Sequence, residues 1–146
     1  MKIKVVSKNP SRKELLENAS IFYAKELNLD FSTYTVNVIS QPNLRKNDNS
    51  NGLCGRTGPK EVTVLIDSRL GLKKILYTLA HEMTHVKQYV RGQYRSEPSR
   101  NGRHKRFWLG KQVSVSYEKR PWEQEAVKME SFLVEKLLTN VAQNIK

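Results

Sequence analysis

At 146 residues with 38% hydrophobic content, the chain is long enough for one domain with a real core and too short for two comfortable ones. Cys54 is the only cysteine, which excludes an internal disulfide and a thiolate cluster, so any metal must be held by His, Asp or Glu. A formal charge of +12 points to an anionic partner, whether nucleic acid, an acidic protein or a membrane surface, or else to a merely solvated basic surface.

The opening "MKIKVVSKNP" lacks the apolar length and cleavage site of a secretory signal, and no apolar run approaches a membrane span. A soluble, cytoplasmic protein is therefore expected. "KIKVV" alternates and is β-branched, predicting a first strand. Beyond Pro10, with Ser11 as the candidate N-cap, Leu15, Leu16, Ala19, Phe22, Tyr23 and Leu27 fall at helical spacing. "YTVNVIS" (34–40) predicts a second strand. "QPNLRKNDNSNGLCGRTGPK" (41–60) is dense in Asn, Gly and Pro and reads as a long loop or irregular hairpin. "EVTVLID" (61–67) predicts the third strand. A strong helix follows, with Leu72, Ile75, Leu76, Leu79, Met83, Val86 and Val90 on one stripe. From Lys87 to Arg106 the chain is strongly basic with a single acid, Glu97, and residues 91–106 read as a flexible basic loop. "FWLGKQVSVSY" (107–117) alternates like a hairpin arm, and Pro121 suits the first turn of a last helix. The order predicts an α+β fold, a single domain over residues 1–146 with helices on one side of a small mixed sheet.

The predicted middle helix contains "HEMTH", residues 81–85. His81 and His85 lie about 160° from the centre of its apolar stripe, at roughly 100° per residue, so they do not belong to the core face. Residues i and i+4 stack on a helix, close enough for two imidazoles to meet one ion, and Glu82 points to the side where a metal-bound water would lie. This is the logic of an HExxH zinc site, with Glu82 as general base for peptide hydrolysis. A catalytic zinc takes a third protein ligand. On the last helix Trp122, Ala126, Met129, Leu133, Leu137 and Val141 define a buried face, within which Glu123 and Glu130 fall, with Glu125 near its edge. A carboxylate on a buried face needs a partner or a metal, so Glu123 is the expected third ligand, with Glu125 and His104 as alternatives. Glu130 is a candidate second layer behind a histidine. Tyr117 is the first candidate for holding the oxyanion, with Tyr89, Tyr94 and His104 behind it. An extended peptide substrate is expected along an edge strand, for which 61–67 is the natural choice. Cys54 reads as a small packed residue or a plain loop thiol, and Trp108 and Trp122 as packing anchors.

"HEMTHVKQY", "GQY", "FWLGK" and "YEKRPWEQEA" together resemble the small HExxH metallopeptidase-like proteins of the gluzincin type found in bacteriophages, over roughly residues 61 to 130. The resemblance implies a minimal zincin-like domain, a Zn2+ cofactor, ligands His81, His85 and Glu123, Glu82 as base, and, for a phage protein, the host cytoplasm. It departs from thermolysin, the familiar gluzincin, where an aspartate often follows the ligand glutamate by four residues; here Val127 stands. "HEMTH" with "GRHKRF" is also similar to Spartan-type DNA-dependent proteases, which would make His104 the third ligand and the basic loop a DNA contact. A third possibility is a basic nucleic-acid-binding module in which zinc is structural or absent.

Overall fold

The computed structural model describes residues 1–44 and 50–145; residues 45–49, part of the stretch read as a loop, lie outside the described residues. The fold is α+β. A four-stranded sheet runs in the order β1 (Lys2–Val6), β2 (Thr35–Gln41), β4 (Glu61–Asp67), β3 (Gly52–Gly58). β1 and β2 are parallel, β2 and β4 are parallel, and β3 is antiparallel to β4. Helices α1 (Pro10–Glu26), α2 (Leu72–Val90) and α3 (Pro121–Ile145) follow β1, β4 and the last strands.

Period-2 burial sets the inner face of the sheet: Val36, Val38, Val62, Val64 and Ile66 are fully buried, while their neighbours along each strand, Asp67 excepted, are not. They meet Leu16, Ala19 and Tyr23 from α1, Ile75, Leu79, Met83 and Val86 from α2, and Leu133, Val134 and Leu137 from α3. Cross-strand pairing puts Gly52, Cys54 and Arg56 on that same inner side, opposite Ile66, Val64 and Val62. The inner side of β3 therefore faces α2 and the histidines.

Of the two readings of the Asn/Gly/Pro-dense stretch, its described part takes the irregular hairpin, with β3 closing on β4 across Pro59–Lys60 and a register shift between Arg56 and Gly58. Other sequence expectations need correction. β4 is consequently an inner strand, and β3 is the edge beside α2. The basic stretch 91–106 is not a loop. It forms β5 (Tyr94–Pro98) and β6 (His104–Trp108), joined by β7 (Lys111–Val113) into a second antiparallel sheet. Leu109 and Gly110, both at positive φ (52° and 86°), form the two-residue turn between β6 and β7. The N-cap of α1 is Asn9 rather than Ser11: its Oδ1 accepts from Arg12 N at 3.2 Å, with Pro10 in the first turn. Val141, expected inside, is 46% exposed, and Leu72 is also largely exposed at the start of α2.

The end of α2 turns the chain back over the histidines. Gly92 takes φ +65°, its N–H donates to Tyr89 O and that of Gln93 to Gln88 O, which together make a Schellman closure. β5 then starts at Tyr94, directly above the helix that has just ended.

Candidate metal centre

α2 and α3 together build the centre. His81 and His85 lie one turn apart on the flank of α2 that faces away from the sheet core, and Glu123 lies in the first turn of α3. Both Nε2 atoms point at a single oxygen: Glu123 Oε1 is 3.0 Å from His81 and 3.1 Å from His85. One donor atom from each of the three side chains lies within 4.8 Å of the others, a grouping that could hold a metal ion. Ala126, fully buried one turn beyond Glu123, lets α3 sit close to α2.

Each imidazole is gripped from behind. His85 Nδ1 is 2.8 Å from Gln88 Oε1, so Nδ1–H donates there and Nε2 is held facing Glu123. Gln88, wholly buried, spends its amide N–H groups on Trp122 O and Glu125 Oε1, both at 2.9 Å. It thus ties the first turn of α3 to α2 and fixes one ring with the same side chain. Behind the other ring, His81 Nδ1 lies 3.6 Å from Glu130 Oε1, the second-layer place expected for Glu130. Glu125 does not join the triad, because Lys87 Nζ holds its other oxygen at 2.8 Å. His104 does not join it either. It is exposed on β6, with Nδ1 3.3 Å from Ser96 Oγ.

The charges in this cluster set its proton chemistry. Burial works to raise the Glu123 carboxyl, but hydrogen bonds from His81 and His85 and the charges of both rings hold it well below the ordinary carboxylate range. Burial works to lower His85, yet Glu123 and the nearby Glu82 more than offset it, and the ring titrates above its ordinary value. Glu82 is 5% exposed, and its Oε2 is buried without a hydrogen-bond partner. Burial raises its carboxyl, with the two histidines pulling the other way. A buried carboxylate oxygen left without a donor needs a partner from outside the chain, such as a water or an ion.

The triad sits in an open cleft of about 540 Å³, whose walls include β3 at Gly52–Cys54, Tyr89 of α2, Tyr94 and Arg106 of the second sheet, and Tyr117 and Arg120 before α3. An aromatic cluster holds the second sheet in place: Trp122 lies 4.9 Å from Tyr94 and 6.4 Å from Trp108, centroid to centroid. The expected anchoring role of both tryptophans is thereby met. Tyr117 opens a short 3-10 turn (Tyr117–Lys119), and its phenol is pushed up to about 12, first by burial and then by the charge of Glu123. Tyr89 packs edge-on against Tyr94 at 5.4 Å. Cys54 is a strand residue rather than a loop thiol, and it lines the same cleft as both histidines. Burial, then the charges of Glu82 and Glu123, push its thiol well above the ordinary range, so it stays protonated and unreactive.

Sequence reasoning missed Gln88, Arg106 and Arg120. Gln88 had a signal, three residues after His85 and so on the same helical face. The two arginines had none beyond charge, since only the pairing of β5 with β6 brings Arg106 to the cleft.

Gly52 marks where β3 meets the flank of α2 that carries Thr78 and Glu82. A Cβ there would lie 2.7 Å from Thr78 Cγ2, 3.1 Å from Leu65 O and 3.2 Å from Glu82 Cγ. Gly52→Ala is expected to destabilise the fold by about 1–3 kcal/mol, seen as a lower urea midpoint, because the edge strand must lift off the helix. An unchanged midpoint would mean that β3 is not seated there.

Compared with known proteins, the chain matches no family model, no curated protein and no solved structure. Among the described residues no helix is long and apolar enough to cross a membrane. The triad and its surroundings therefore carry the functional argument alone.

Proposed function

We propose that the chain is a zinc-dependent peptidase of the gluzincin type, with His81, His85 and Glu123 as the metal ligands. The observation that carries this reading is the convergence of two Nε2 atoms on one Glu123 oxygen, at 3.0 and 3.1 Å, beside the orphaned buried Oε2 of Glu82. Two neutral nitrogens and one carboxylate form a donor set suited to zinc, and three protein ligands leave a position open. A zinc ion held there supplies Lewis acidity, which makes water acidic near neutral pH and polarises a carbonyl.

The chain's own groups supply the rest. Glu82 accepts a proton from water as its oxygen bonds to the scissile carbonyl carbon, then delivers that proton to the amide nitrogen as the C–N bond breaks. Gln88 and Glu130 keep the two rings oriented. Tyr117, its phenol titrating near 12, stays protonated at neutral pH and is the donor for the carbonyl oxygen as charge builds on it. The free edge of β3, rather than β4, offers main-chain hydrogen bonds to an extended substrate.

The reading of His104 as a ligand in a DNA-dependent protease has no support in the geometry, since that ring lies outside the triad. Dialysis against a chelator is expected to abolish hydrolysis of an unfolded protein such as casein, and about one equivalent of zinc to restore it. Hydrolysis that survives verified removal of metal would overturn the proposal.

A further inference from the structure

We infer that the cleft selects peptides carrying acidic side chains on one side of the scissile bond, through Arg106 and Arg120; the inference rests on the peptidase reading above. Both residues line the same cleft as the triad, yet they come from separate elements, the middle of β6 and the residue before α3. Both are half-buried. Neither makes an ion pair with a carboxylate among the described residues; Arg95 is the arginine that has one, to Glu97. Arg120 stacks over the Tyr117 ring at 5.4 Å. The cleft's two carboxylates make no ion pair with these cations: Glu123 is taken by both histidines, and Glu82 is buried.

Partly desolvated guanidiniums without counter-ions are a binding site for carboxylate, which a guanidinium meets through two parallel hydrogen bonds. The cationic character also has a direction. Past Tyr89 and Tyr94 the cleft adjoins a depression of about 590 Å³ that contains Arg56 and Arg95, and Arg56 donates to Tyr34 Oη with no ion pair among the described residues. On the opposite side, beyond His81, an adjoining depression of about 190 Å³ is lined by Thr78, Tyr117 and Glu130 among others and, among the described residues, by no lysine or arginine. An extended chain along β3 therefore passes from an acidic wall, across the triad, to a basic one. Between residues 91 and 120 stand nine arginines and lysines against two glutamates, so this part of the chain adds a positive field around the cleft. A nucleic acid would find the same cations. The cleft, however, sets them beside the β3 edge, which pairs with no other strand among the described residues and whose alternating N–H and C=O groups match a peptide main chain.

The test uses zinc-loaded Glu82→Gln protein and two labelled peptides that differ only in Glu against Gln at the same positions, with binding read by fluorescence anisotropy. Wild-type protein is used in parallel to map cleavage sites in an unfolded protein by mass spectrometry. The Glu peptide is expected to bind about ten-fold tighter or more. Arg106→Gln and Arg120→Gln, checked for retained zinc, should each shrink that difference, and cleavage sites should show acidic residues on one side only. Equal binding of the two peptides, or a difference that persists in both arginine variants, overturns the inference. So does Arg106-dependent binding of an oligonucleotide with no binding of either peptide. Wild-type cleavage without preference for acidic sequence overturns the selectivity and leaves the peptidase reading standing. Arginine-dependent binding of the Glu peptide, with no hydrolysis by zinc-loaded wild type, upholds the selectivity and overturns the peptidase reading.

Discussion

Glu82→Gln is expected to lower the turnover of any peptide substrate by about a thousand-fold while zinc content stays at about one per chain. Glutamine has nearly the same shape and fits the same pocket, but its amide cannot take up a proton. Glu82 is not among the three side chains whose donor atoms converge, so metal content should be indifferent to the change. Nor should the fold suffer, because Glu82 Oε2 has no partner to lose and the substitution removes a buried charge. The decisive comparison measures hydrolysis, zinc by atomic absorption and the urea midpoint on one preparation. Loss of zinc together with activity would assign Glu82 to the ligand set, and full activity would remove it from the chemistry.

Glu123→Ala should have the other large effect, on metal binding. Zinc at about one hundred times its dissociation constant stabilises a folded protein by about 2.7 kcal/mol. For a chain of this size that corresponds to a rise in melting temperature of roughly 5–10 °C. Glu123→Ala and His85→Ala should each abolish the rise, whereas His104→Ala, on an exposed strand, should keep it. A rise that vanishes with His104 and survives without Glu123 would exchange their assignments. The metal-free protein gives a second readout. The Glu123 carboxyl is held below its ordinary value of 4.5, so its contribution to stability is fully present above that value and is lost as pH falls through the folded-state one. Without metal, wild type and Glu123→Ala should therefore differ at neutral pH and converge in acid.

What could be read from the sequence follows from how local each signal is. The α2 and α3 assignments, and with them His81, His85, Glu123 and Glu130, came from helical periodicity, which is written into neighbouring residues. β3 was obscured because its composition answers to a partner distant in sequence: Gly52 is a glycine because Thr78 and Glu82 leave no room for a Cβ. With that stretch read as a loop or irregular hairpin, 61–67 stood as the natural edge. β5 and β6 were hidden for a different reason. Their strands alternate, but with charge on both faces, Arg106 toward the cleft and Lys105 toward solvent, so no apolar face betrays them. The N-cap shifted from Ser11 to Asn9 because Pro10 is itself the first helical residue.

The triad draws on two helices far apart in the chain, with Glu123 following His85 by 38 residues. A nascent chain emerging from the ribosome thus displays both imidazoles well before the carboxylate that completes the grip. During that interval it has two nitrogen donors of the three that converge in the folded chain. Closure comes only when α3 docks through Gln88, so the three donors converge late, once the last helix has found its place against α2.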